Sequence, residues 1–223
     1  MERRRGVRLI LGLAVWLAVI VPAVAHPHVL VDARVTVRLD AESRVVALRQ
    51  AWTLDEGFSA FAKQGLDTNG DGRFSREELA PLAEVNVTSL AEFRWFTHGN
   101  QDGRRLTFQR PTDYHLEHDD ATGRLTLHFT LALQAPAPTK GPGVLLRVFD
   151  PEYFVAISLV EDPAAVGREG GAAACRLAVK RPAALDPVAA MELARVPASV
   201  RNLPANLSQL TADLANDITV TCP

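Results

Sequence analysis

Twelve residues of this chain carry oxygen donors at a spacing that suits a hard cation. They run Asp67-Thr68-Asn69-Gly70-Asp71-Gly72-Arg73-Phe74-Ser75-Arg76-Glu77-Glu78 and meet the calcium-loop pattern D-x-[DN]-x-[DN]-G-x₅-E at every defined position. Asp67, Asn69 and Asp71 place side-chain oxygens at positions one, three and five. Gly72 at position six permits the sharp turn. Arg73 contributes its backbone carbonyl, Ser75 suits a water-mediated contact, and Glu78 closes the shell with two oxygens. Calcium takes six to eight oxygens, and this loop offers no nitrogen or sulfur ligand. The loop therefore predicts bound Ca²⁺.

A second set of candidate ligands is nitrogenous. His26 and His28 frame Pro27, and cleavage after Ala25 would make His26 the amino terminus. A terminal His offers its amine and its ring to one metal, and His28 adds a second imidazole. Imidazole suits Zn²⁺, Cu²⁺, Ni²⁺ and Co²⁺ far better than Ca²⁺. Asp32, His115 and His128, each on the polar face of an expected strand, are candidates for the remaining positions. His118 falls on an apolar register and reads as a packed residue, and His98 as a solvated turn residue.

These groups need elements to hold them. Residues 1–25 read as a cleaved signal peptide: Arg3-Arg4-Arg5, an apolar run from Leu9 to Val21, then Ala23-Val24-Ala25. Their removal takes four Arg and one Glu, so the formal charge falls from −2 to −5, which argues against a nucleic-acid partner. Residues 26–223 are expected to form a single periplasmic domain. Its two cysteines, Cys175 and Cys222, are expected to pair as a disulfide in an oxidising compartment.

Alternation of Val29, Val31, Ala33, Val35, Val37 and Leu39 with more polar residues predicts a half-buried strand, and 44–54 predicts its antiparallel partner. Helical sequence flanks the calcium loop, giving a helix-loop-helix insertion at about 56–93, with Pro81 expected to interrupt the second helix. Further strands are expected at 93–97, 105–109, 114–118, 124–133, 144–149, 153–160, 175–179 and 218–222, with short helices at 187–195 and 207–216. The fold class is α+β: a mainly antiparallel, sandwich-like sheet domain with the helix-loop-helix inserted and short C-terminal helices.

The loop and its flanks resemble those of EF-hand proteins. Over a longer span, His26-Pro27-His28-Val29 to Asp32, Trp52 to Ser59, the Asp-x-Asn-Gly-Asp-Gly loop and Phe96-Thr97 resemble an uncharacterised bacterial periplasmic family. That family goes by the label of periplasmic component of an ABC-type transport system, and its members are often encoded beside nickel/cobalt permeases. The resemblance implies divalent-metal handling next to an inner-membrane metal permease. The chain carries no G-x-S-x-G, H-E-x-x-H or phosphate-binding glycine loop, and no enzymatic role is expected. The expected function is an exported calcium-binding protein that acts as a periplasmic metal-binding accessory to a transporter. The alternative is a calcium-braced interaction module that binds no transition metal.

Overall fold

The computed structural model describes residues 27–182, 184–197, 200 and 203–223. Residues 1–25, expected as a signal peptide, and His26 lie outside the described residues.

The first strand, β1 (Val29–Leu39), buries its odd positions and turns its even positions outward, as the alternation requires. It pairs antiparallel with β2 (Val45–Leu54) through a hairpin closed at Asp40–Arg44. The chain then leaves the sheet as α1 (Glu56–Ala62), N-capped by Asp55, and the polar loop leads into α2 (Arg76–Leu90). Ser75 and Glu78 form a reciprocal capping box at the start of α2. Pro81 does not interrupt α2, a correction to the expectation. It sits on the exposed face, so the carbonyl it leaves without a helical donor can turn to water.

The segment expected as a strand at 93–97 is instead a 3₁₀ turn over Ala91–Phe96. Within it Arg94, Trp95 and Phe96 take φ of 54°, 51° and 46°, three successive non-glycine residues in the left-handed region. The following strand, β3 (Thr97–Gln101), starts where the expected one was to end, and β4 (Arg104–Leu106) is shorter than expected. Next come β5 (Tyr114–His118), β6 (Leu125–Ala137), β7 (Val144–Val148), β8 (Val155–Leu159), β9 (Val166–Glu169) and β10 (Arg176–Lys180). The helices α3 (Pro187–Ala194) and α4 (Ala205–Asp213) precede the last strand, β11 (Asn216–Thr221).

One sheet has the order β5-β6-β2-β1-β8, with β9 also on β1, and the other β10-β11-β7-β3-β4. The architecture is α+β, two mostly antiparallel sheets packed as a sandwich. The exceptions are β8 and β9, which both run parallel to β1. Side chains from both sheets and from α2 (Leu79, Ala83, Val87) share one core, while Leu193, Val196 and Leu207 form a smaller cluster around α3 and α4.

A buried polar chain crosses the main core. The Trp52 indole donates to Gln50 Oε1 (3.2 Å), and Gln50 Nε2 donates to Thr97 Oγ1 (3.1 Å). Thr97 in turn donates to the Trp95 carbonyl (2.8 Å), and the Trp95 indole to the Val87 carbonyl (3.0 Å). Gln50 is fully buried, and each of these bonds satisfies a group that could not reach water. The chain ties β2 to β3 and both to α2. At the far edge Cys175 and Cys222 form a disulfide beside the β10–β11 ladder. It fits an oxidising, extracytoplasmic compartment. Among the described residues, no helix is long and apolar enough to cross a membrane.

Candidate metal sites

The loop between α1 and α2 folds around its own acidic side chains. Asp67 Oδ1 accepts from the Gly70 and Asp71 amides, and Oδ2 from that of Gly72. Asn69 Oδ1 accepts from Asp71, and Asp71 Oδ1 accepts from the Arg73 amide. Gly70 and Gly72 hold φ of +73° and +77°, which a side chain would strain. Glu78 closes the ring. Its Oε1 accepts from the Thr68 amide and hydroxyl and the Asn69 amide, and its Oε2 from the Ser75 amide and hydroxyl. The Ser75 amide and hydroxyl hold the Glu78 carboxyl down at about 2, with smaller help from the Thr68 donors and against an opposing effect of desolvation. The structure thus brings Asp67, Asn69, Asp71, Arg73, Ser75 and Glu78 into one loop.

The same helix-loop-helix grips the sheet edge. Lys63, which ends α1, donates to the Gly123 carbonyl and to His118 Nε2, each at 2.9 Å. An ammonium has no acceptor, so His118 Nε2 accepts and the ring proton sits on Nδ1, donating to Asp120. Phe74, inside the loop, packs on His118 with ring centroids 4.9 Å apart. His118 is a packed residue, as its register implied. Arg76, the first residue of α2, reaches Glu117 Oε1 at 2.7 Å.

Glu117 in turn faces two imidazoles. Its Oε1 lies 3.2 Å from His115 Nε2 and its Oε2 3.3 Å from His128 Nε2. His115 and His128 are directly opposite in the β5–β6 ladder, and their rings stack at 4.7 Å. Burial pushes the His128 imidazole below its ordinary value, against the raising effect of Glu117. Burial also works to raise the Glu117 carboxyl, but His128, His115 and Arg76 together hold it below the usual carboxylate range. Sequence reasoning placed both histidines on the polar face and missed Glu117. The signal was available: Glu117 shares a face with His115, two residues away, and the Asp119–Gly123 turn sets 115 against 128.

His28 lies elsewhere. It stacks on Phe154 (4.3 Å), and both line a cavity of about 550 Å³ together with Val29, Phe58, Phe93 and Glu152. Counting six residues to the row of Arg34, Ala51, His128 and His115, His28 stands about 20 Å from those two histidines. Four residues of extended strand also hold it about 13 Å from Asp32, whose carboxylate pairs with Arg124 at 2.8 Å. The structure therefore does not gather His28, Asp32, His115 and His128 into one site.

His98 is not a solvated turn residue. It lies in β3, half-buried against Phe149, with Nε2 shielded from solvent. Burial lowers its imidazole, and the charges of Arg94, Arg105 and Arg147 lower it further.

Comparison with curated proteins gives no match. A family model described as "Protein of unknown function (DUF1007)" matches residues 11–222, nearly the whole chain, and the chain belongs to that family.

Proposed function

We propose that this is an exported calcium-binding protein that handles a divalent transition metal in the periplasm, as an accessory to a membrane metal transporter. The observation that carries the reading is the loop. Asp67, Asn69 and Asp71 converge on a single turn, Glu78 closes it, and all the offered ligands are oxygen. Because α1 and α2 hold the edge strand through Lys63 and Arg76, an ion in the loop would brace an imidazole-bearing surface. Nickel, cobalt and zinc suit that surface by ligand type. Its role is capture and transfer, not catalysis.

Loops of this kind in exported proteins bind at ~10⁻⁴–10⁻³ M, so ambient calcium would keep this one filled as a brace. The experiment is calcium titration by calorimetry together with thermal unfolding. At a tenfold excess of ion over Kd the folded state gains about 1.4 kcal/mol. For a chain of this size that raises Tm by roughly 3–6 °C. Both effects should vanish in Glu78→Gln. An unfolding transition indifferent to calcium, or the same shift in that variant, would overturn the reading.

A second reading is favoured by the cavity beside His28, which is rimmed by Phe58, Phe93 and Phe154. In it the calcium-braced chain docks an apolar segment of a partner and binds no transition metal. Protein purified from the periplasm that carries calcium alone, and takes up no Ni²⁺, Co²⁺ or Zn²⁺ when offered, would favour this one.

A further inference from the structure

We propose that His115, Glu117 and His128 form a three-ligand site for a divalent transition metal on the outer face of the β5–β6 edge, separate from the amino-terminal histidines. The proposal deepens the metal-handling reading by naming its site, but it does not depend on calcium in the loop.

The ligand atoms of the three side chains all lie within 4.8 Å of one another. Two ligands on a tetrahedral metal at ~2.0–2.1 Å are about 3.3–3.4 Å apart. The two imidazole–carboxylate separations, 3.2 and 3.3 Å, match that edge. Rotation about the side-chain bonds of the two histidines would admit an ion without rebuilding either strand. Pairing in the ladder fixes the backbones of His115 and His128 opposite each other, while their rings stack nearly parallel, 12° apart, so the rings must turn for both Nε2 lone pairs to meet at one ion. Two nitrogens and one oxygen make a donor set suited to Zn²⁺, Co²⁺ or Ni²⁺ and poorly suited to Ca²⁺.

Two further features make the site an exchangeable one. The three side chains keep 25%, 51% and 29% of their surface exposed, so an ion can enter and leave from solvent. His115 and His128 also line a hollow with Asp113, Thr130 and Arg49, which leaves a fourth position for water or an incoming ligand. Arg76 is the internal competitor. It holds Glu117 Oε1, and a bound metal must share that oxygen or displace the guanidinium. Arg76 directly follows Ser75, so the loop and the trio are joined through one side chain.

The test uses the exported chain with His26→Ala and His28→Ala, so that the amino terminus contributes no imidazole. Co²⁺ is added alone and followed by visible absorption, which reports tetrahedral coordination, and Zn²⁺ affinity is read by calorimetry. One ion per chain is expected, with affinity falling more than about 100-fold in His115→Ala and in His128→Ala. Glu117→Gln, which keeps the shape of the side chain, should also weaken binding and alter the cobalt spectrum. Thermal unfolding of each variant separates lost ligands from lost fold. Should a histidine variant fail to fold, the Glu117→Gln spectrum decides.

Failure to bind Co²⁺ and Zn²⁺, or equal binding after loss of either histidine, would overturn the site. If metal binds only when His26 and His28 are restored, the trio is a hydrogen-bonded cluster: this inference falls and the metal-handling function stands. If the trio binds metal but calcium leaves the unfolding transition unmoved, the site stands and the calcium brace falls.

Discussion

Gln50 offers a sharp test of how the two sheets and α2 are held together. Replacing it by Met keeps an unbranched side chain of similar volume in the core but removes both the amide oxygen and the amide nitrogen. The Trp52 indole N–H then has no acceptor and no route to water, because Trp52 is only 2% exposed. A stranded buried donor of this kind costs about 1–3 kcal/mol. Thr97 loses one accepted bond, about 1 kcal/mol, and keeps its own donation to Trp95. The thioether gives back about 1 kcal/mol because it is easier to desolvate than an amide. The expected net loss is about 1–3 kcal/mol, which urea unfolding at constant m-value would register. The diagnostic arm is the same substitution in a Trp52→Phe background, where no donor is left to strand. There the cost should shrink by at least about 1 kcal/mol. A Gln50→Met variant as stable as the parent, or one whose cost is unchanged with Phe at 52, would refute the account.

Other consequences are equally direct. Replacing Cys175 and Cys222 by Ala releases a closed loop with a sequence separation of 47, worth ~4 kcal/mol on the chain-entropy model. Urea midpoints for the two proteins should differ accordingly, and a loss under about 1 kcal/mol would mean that the unfolded chain is constrained by other means. Glu78 should titrate at about 2 in the calcium-free protein by carbon NMR, since Ser75 and Thr68 hold its ionised form. The depressed value means that its contribution to the loop is present above the ordinary 4.5 and fades as pH falls toward 2. Titration near 4.5 would contradict the closed ring. His98 also has a depressed value, so the stability tied to its neutral ring is complete above 6.5 and lost as pH falls through the lowered value. His98→Gln should therefore flatten the fall in stability as pH drops below 6.5, and an unchanged slope would show that the burial of His98 is irrelevant to acid sensitivity.

Much of the molecule was legible in the sequence where one face is buried and the other is wet. In β1 every odd residue from Val29 to Leu39 is core, and a period of two states this directly. The loop was legible because its turn needs Asp or Asn acceptors and glycines of positive φ at set positions. What the sequence hid was decided by long-range context. Arg94, Trp95 and Phe96 carry no glycine or asparagine to announce a left-handed turn, and packing of both aromatic rings into the core stabilises it. Nothing local marks His98 as half-buried, because its partner strand β7 lies far along the chain. The candidate trio was half legible: facing gave both histidines, and only the strand register adds Glu117 between them.

The parallel pairing of β1 has a consequence for how the chain is made. Its first strand sits inside a sheet, yet β8 and β9, which cover one of its edges, come from the C-terminal half. Until those residues emerge, the hairpin of β1 and β2 presents an apolar strand with a bare row of amides and carbonyls, a template for pairing with other chains. Contacts this distant in sequence also close slowly. Nascent chains that stop short of β8 should therefore collect as aggregates, while the complete chain covers that edge with β8 and β9.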